Sequence, residues 1–173
     1  MFPSIVGAVT LIAACMAIGF YYAAKEGFRL QELQEFKKAL MILSSEIEHM
    51  RAPLPVACAN IAKRTNKPVS ELFLNFSKLL ESNEGETAYR LWMQALESQK
   101  TKSHLAEEDL DIIEGFGKTL GYLDKHMQQN AIAYAVDYID EKAVILAAQA
   151  DKNKRMYRSL GVIAGLLIAI VLW

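Results

Sequence analysis

Cysteine is scarce in this sequence: Cys15 and Cys58 are the only two, too few for the framework of bridges that staples small secreted domains. Histidine is hardly more frequent, and His49, His104 and His126 stand isolated along the chain, so their spacing gives no zinc site. A cationic surplus is missing too. With 19 Lys and Arg against 20 Asp and Glu, the net charge of -1 lacks the excess that a nucleic-acid backbone calls for, and no nucleic-acid partner is expected. Repeated strand-length alternation and hairpin turns are also absent, which leaves an all-α chain. The most informative absence is local: residues 1–24 and 159–173 contain no charged side chain, and every Lys, Arg, Asp and Glu falls between Lys25 and Arg158. The charged middle is about the size of one compact domain, which excludes a multi-domain enzyme.

The uncharged ends read as membrane segments. Ile5 to Ala24 is a run of about 20 apolar residues, which at 1.5 Å per residue spans roughly 30 Å, the thickness of the hydrocarbon core. A signal peptide would want a basic stretch ahead of it, and MFPS has none. Ile12-Ala13-Ala14-Cys15 has the form of a lipoprotein cleavage box, but the apolar run continues past Cys15 without a break. Ser159 to Trp173 is shorter than a bilayer is thick. It needs Met156 and Tyr157 for length, with Arg155 and Arg158 snorkelling to one interface and Trp173 at the other. Gly161 and Gly165 form a small-xxx-small face for helix packing in the membrane. Lys25 and Arg29 follow the first run, and Lys152, Lys154, Arg155 and Arg158 precede the second, so the positive-inside rule places the middle in the cytoplasm. The expected organisation is a transmembrane helix in 1–24, a cytoplasmic helical domain in 25–155 and a second transmembrane helix in 156–173.

Six helices are expected in the middle. Leu30, Leu33, Phe36, Leu40, Leu43, Ile47 and Met50 recur every three or four residues, the mark of a long amphipathic helix that ends at Pro53-Leu54-Pro55. Val56–Lys63 and Pro68–Leu80 follow, then a turn at Asn83-Glu84-Gly85, then Thr87–Ser98 with Leu91, Trp92, Ala95 and Leu96 on its apolar side. Ser103 is placed to cap a fifth helix ending near Phe116, and Asp124 to cap the sixth. In that last helix Ile132, Val136, Ile139, Ala143, Leu146 and Ala150 keep a heptad rhythm that leads without Pro or Gly into the second apolar run. The whole is a helical bundle flanked by two membrane helices, its last helix long and continuous.

Two constellations invite a chemical reading. Gly115-Phe116-Gly117-Lys118-Thr119-Leu120-Gly121 resembles a nucleotide loop, but a Walker loop would require glycine where Ile112 stands, and a dinucleotide fingerprint has the wrong gap before Gly121. A helix end with a tight turn explains it, and Thr119 and Asp124 read as capping groups. The acidic run Glu107, Glu108, Asp109, Asp111 and Glu114 lacks the ligand spacing of a calcium loop. It is either a solvated first turn that complements the helix dipole or a docking surface. No nucleophile setting is recognisable, no cofactor is implied, and the expectation is a protein that is not an enzyme.

Read in order, the residues resemble the stage III sporulation protein AB family of endospore-forming bacteria. The matching features are Leu40–Leu43, Ser45-Glu46-Ile47, Pro53-Leu54-Pro55, Ile61-Ala62, Val69–Phe73, Trp92, Phe116–Gly121 with Asp124 and Gln128, and Met156–Gly161 with Gly165 before an apolar end. The resemblance implies a subunit of the channel between mother cell and forespore, in the outer forespore membrane on the mother-cell side. The family is similar to the platform proteins of type II secretion and type IV pilus machines, whose helical domains contact a hexameric ATPase. The implied partners are stage III sporulation protein AA, the sporulation ATPase, other membrane subunits of the channel and the lipid bilayer, with a homo-oligomer left open. The residues expected to meet a partner are Glu107, Glu108, Asp109, Asp111, Glu114, Phe116, Gly117, Gly121 and Asp124, with Gly161 and Gly165 packing in the membrane.

Overall fold

The computed structural model describes residues 25–50, 53–82, 85–120 and 125–172, without side chains at 49, 50, 125, 150, 151 and 153–172. The chain divides into two units, Arg29–Ala143 and the pair Met1–Phe28 with Val144–Trp173, and the first carries the described bundle. Among the described residues there are six helices and no strand: α1 (25–45), α2 (Leu54–Arg64), α3 (Val69–Ser82), α4 (Ala88–Gln99), α5 (Glu107–Gly117) and α6 (Lys125–Leu172). The expected all-α bundle is therefore what forms. Among the described residues no helix is long and apolar enough to cross a membrane. The expected first span, 1–24, lies outside those residues, as do the side chains of the second.

Each helix begins and ends for a local reason. α1 passes into a π-helical turn at Glu46–Met50 before the proline segment. α2 starts directly after Pro53 and takes Pro55 in its first turn, where a missing N–H costs no helical bond. Between α3 and α4, Gly85 holds φ at +100°, a conformation that favours glycine. Thr87 then caps α4, its side chain accepting from the Arg90 N–H. Ser103 does not cap α5. Its hydroxyl donates instead to Glu32 at 2.6 Å, and the Glu32 carboxylate also accepts the His104 N–H at 2.8 Å, which ties the α4–α5 connection to α1. The start of α5 falls later, at Glu107, where Asp109 Oδ2 accepts the Ala106 N–H at 2.9 Å.

The core is aromatic. Trp92 of α4 is fully buried at the centre of Phe36 (α1), Phe73 and Phe76 (α3) and Phe116 (α5), with ring centroids between 5.1 and 6.5 Å from its own. Most of these pairs are edge-to-face, the arrangement that the ring quadrupoles favour. Its indole N–H donates to the Ile113 carbonyl at 3.1 Å, so the one polar atom of the ring is satisfied. Leu33, Leu40, Leu43, Leu72, Leu91, Ala95 and Ile113 are buried too, and from α6 so are Ile132, Ala135 and Ile139. At 25 cal/mol per Å², each large apolar side chain so buried contributes about 1.5–3 kcal/mol before entropy is counted.

Candidate functional site

The acidic helix α5 combines inward and outward carboxylates. Helix periodicity turns Asp109 towards α1 and α6, and its side chain is fully buried. A lone buried carboxylate would be prohibitively costly, and four donors prevent that cost here. Arg29 of α1 approaches with Nε at 2.7 Å from Oδ2 and Nη2 at 3.0 Å from Oδ1, a bidentate fork. The Tyr138 hydroxyl of α6 donates to Oδ1 at 3.1 Å, and the Ala106 N–H supplies the fourth bond. Next to it, Glu108 accepts from Arg29 Nη2 at 2.6 Å and from Lys142 Nζ at 2.8 Å. The cluster therefore joins α1, α5 and α6.

The titration of the cluster follows from these contacts. The hydrogen bond to Asp109 raises the Arg29 guanidinium above its ordinary value despite the cost of burial. Burial first, then the Asp109 charge, push the Tyr138 hydroxyl up. The Lys142 hydrogen bond, followed by that of Arg29, holds Glu108 below the ordinary carboxylate range. On the opposite flank Tyr89 donates to Glu114 at 2.9 Å, and that bond raises the tyrosine.

The residues expected to meet a partner thus separate by position. Asp109 is enclosed and saturated within its own chain, so it has no surface to offer and acts as a clamp between helices. Phe116 and Gly117 are buried as well, Phe116 in the aromatic core and Gly117 against Trp92. Glu108 is half exposed but holds two cations, and Glu114 is half-buried with Tyr89. Glu107 and Asp111, one turn apart, are exposed and carry no ion pair among the described residues. Gly121 and Asp124 lie outside the described residues, and Gly161 and Gly165 lie where only the helix backbone is described. Arg29, Tyr138 and Lys142 were not legible as a set. Only the i, i+4 spacing of Tyr138 and Lys142 hinted that they share a face.

The glycine segment after α5 forms a turn, not a phosphate loop. A helix precedes it, and the amides of Lys118, Thr119 and Leu120 donate to the carbonyls of Gly115, Phe116 and Gly117 at 2.9–3.2 Å. The Thr119 hydroxyl donates to the Phe116 carbonyl at 2.7 Å. Those donors are spent on the turn, whereas a phosphate cradle needs them free. Among the described residues no group of three His, Cys, Asp or Glu could hold a metal ion.

Known proteins resemble the chain over nearly all its length. The family model of stage III sporulation protein AB matches residues 4–173. Stage III sporulation protein AB of Bacillus subtilis (strain 168) is 32% identical over 168 residues, which are 97% of this chain and 98% of that protein. A solved structure of a stage III sporulation protein AB superposes with a TM-score of 0.65 at 29% identity, covering 75% of this chain and 98% of that one.

Proposed function

Because the chain belongs to the stage III sporulation protein AB family, a family of non-enzymatic sporulation components, we propose that it is a platform subunit of the channel between mother cell and forespore. In this reading the two apolar ends span the outer forespore membrane, the bundle faces the mother-cell cytoplasm, and α5 docks the sporulation ATPase, stage III sporulation protein AA. The sequence supports the membrane part through its two charge-free ends and the Lys and Arg residues that flank them on one side only.

The observation that carries the docking part is the division of α5. Glu108 and Asp109 fix the helix to α1 and α6, while Glu107 and Asp111 point outward without an ion pair among the described residues. A charged rim on a rigid element steers association and fixes register, which is what an anchor for a cationic face on the ATPase requires.

The test is a pull-down of the detergent-solubilised full chain against the purified ATPase, followed by titration. Retention that weakens about tenfold in Glu107→Lys/Asp111→Lys, with helicity unchanged, is the expected result. Equal binding by the reversed variant would move the contact off α5. No binding at all by the folded wild type would favour a membrane scaffold that touches only other channel subunits.

A further inference from the structure

A second surface of the same unit shares no residue with the acidic helix. Along α1 and the last turn of α2 runs an open cleft of about 410 Å³, lined among others by Lys37, Lys38, Met41, Ile42 and Arg64. Met41 in its lining is 58% exposed, a flexible and polarisable side chain of the kind that adapts to an incoming apolar group. Of the lining cations Lys37 is already paired within its own chain, its Nζ lying 2.6 and 2.7 Å from the two oxygens of Asp140. Lys38 has only Glu35, at 3.8 Å, and Arg64 carries no ion pair among the described residues. Two cations beside an exposed methionine fit an apolar anchor flanked by carboxylates.

The same chain displays such an element. On α6, Tyr134 is 66% exposed, and Asp137 and Glu141 follow it at i+3 and i+7 on one face, both exposed and without an ion pair among the described residues. The lengths agree. Tyr134 to Glu141 covers about 10 Å of helix, and the cleft follows α1 from Gln34 to Ser45, about 16 Å. An amphipathic helix face laid in a groove is a recurrent mode of recognition, with the anchor giving affinity and the rim charges giving register.

We propose that this cleft is a self-association site, occupied by the Tyr134–Glu141 face of α6 from a second copy of the chain. Tyr134 packs on Met41, and Asp137 and Glu141 meet Lys38 and Arg64. The contact uses neither Glu107 nor Asp111, so it stands whether or not α5 docks an ATPase.

The test places the photo-crosslinking residue p-benzoylphenylalanine at position 41 of the full chain, in detergent micelles and in cells. The expected product is a homodimer adduct whose label maps to residues 134–141. Lys38→Glu/Arg64→Glu should reduce it about tenfold, and adding Asp137→Lys/Glu141→Lys to the same chain should restore it, because the reversed charges again match between copies. Because the fourfold variant recovers the adduct only if it is folded, a fall followed by recovery cannot be misfolding. An adduct to lipid, to a different protein or to another part of the second copy overturns the proposal. So does loss of the adduct in the double variant without recovery in the fourfold one.

Discussion

Two glycines of α5, two residues apart, should respond oppositely to the same substitution. A Cβ at Gly117 would lie 2.6 Å from Trp92 Nε1, 2.9 Å from Cγ and closer still to Cδ1, whereas at Gly115 nothing lies within 4 Å. Trp92 has little freedom to retreat, because four phenylalanine rings surround it and its N–H is fixed on Ile113. Overpacking a well-filled core costs about 1–3 kcal/mol, and displacing the indole from its carbonyl adds roughly 1–2 kcal/mol. The helical preference of alanine over glycine returns only about 0.5–1 kcal/mol. Gly117→Ala should therefore lose roughly 2–4 kcal/mol, a fall of about 8–16 °C in Tm for a body of this size, while Gly115→Ala should gain up to about 1 kcal/mol. Urea and thermal unfolding, followed by Trp92 emission in a Trp173→Phe background, measure both. A Gly117→Ala protein within about 1 kcal/mol of wild type, or a Gly115→Ala protein equally destabilised, would refute the packing argument.

The buried clamp gives further expectations. Asp109→Asn should cost about 3 kcal/mol, because Arg29 is then left largely desolvated without its bidentate partner. A double-mutant cycle with Arg29→Met should show strong coupling, and additive single effects would deny the pair its role. Tyr138→Phe removes one of four donors and should cost only about 1 kcal/mol by urea titration, so a loss equal to that of Asp109→Asn would contradict the geometry. Burial pushes the Cys58 thiol up to about 12. From about pH 9 upward the unfolded chain releases a proton that the folded one keeps, so stability should fall as pH rises, by about 1.4 kcal/mol per unit, until the folded thiol also ionises. Tyr138, also raised, adds to the same decline from about pH 10. A flat profile between pH 8.5 and 10.5, or fast labelling of folded Cys58 at pH 8 in a Cys15→Ser background, would contradict this burial.

Much of the architecture was legible because burial and helix period act locally. Leu33, Phe36, Leu40 and Leu43 on α1, and Leu91, Trp92, Ala95 and Leu96 on α4, are buried as their spacing requires. The prolines at 53 and 55 end one helix and open the next for reasons contained in the residues themselves. What was not legible depends on distant partners. Ser103 has every property of a cap, but the buried Glu32, 71 residues earlier, draws its hydroxyl away. Asp109 looked like its acidic neighbours, and only Arg29, 80 residues earlier, and Tyr138, 29 later, distinguish it as a clamp. Gly117 read as part of a helix end and turn, and the close approach of Trp92 that requires glycine there is hidden by sequence distance.

The ring of aromatics around Trp92 also constrains how the chain can be made. Its members come from positions 36, 73, 76, 92 and 116, so no two consecutive helices contain it. While the ribosome is still extending the chain, Trp92 has no fourth wall until Phe116 has emerged. Until then the earlier helices pay the entropy of loop closure without the full reward of burial. The bundle should therefore mature in one late step, and a nascent chain stalled before residue 116 should remain open to proteolysis.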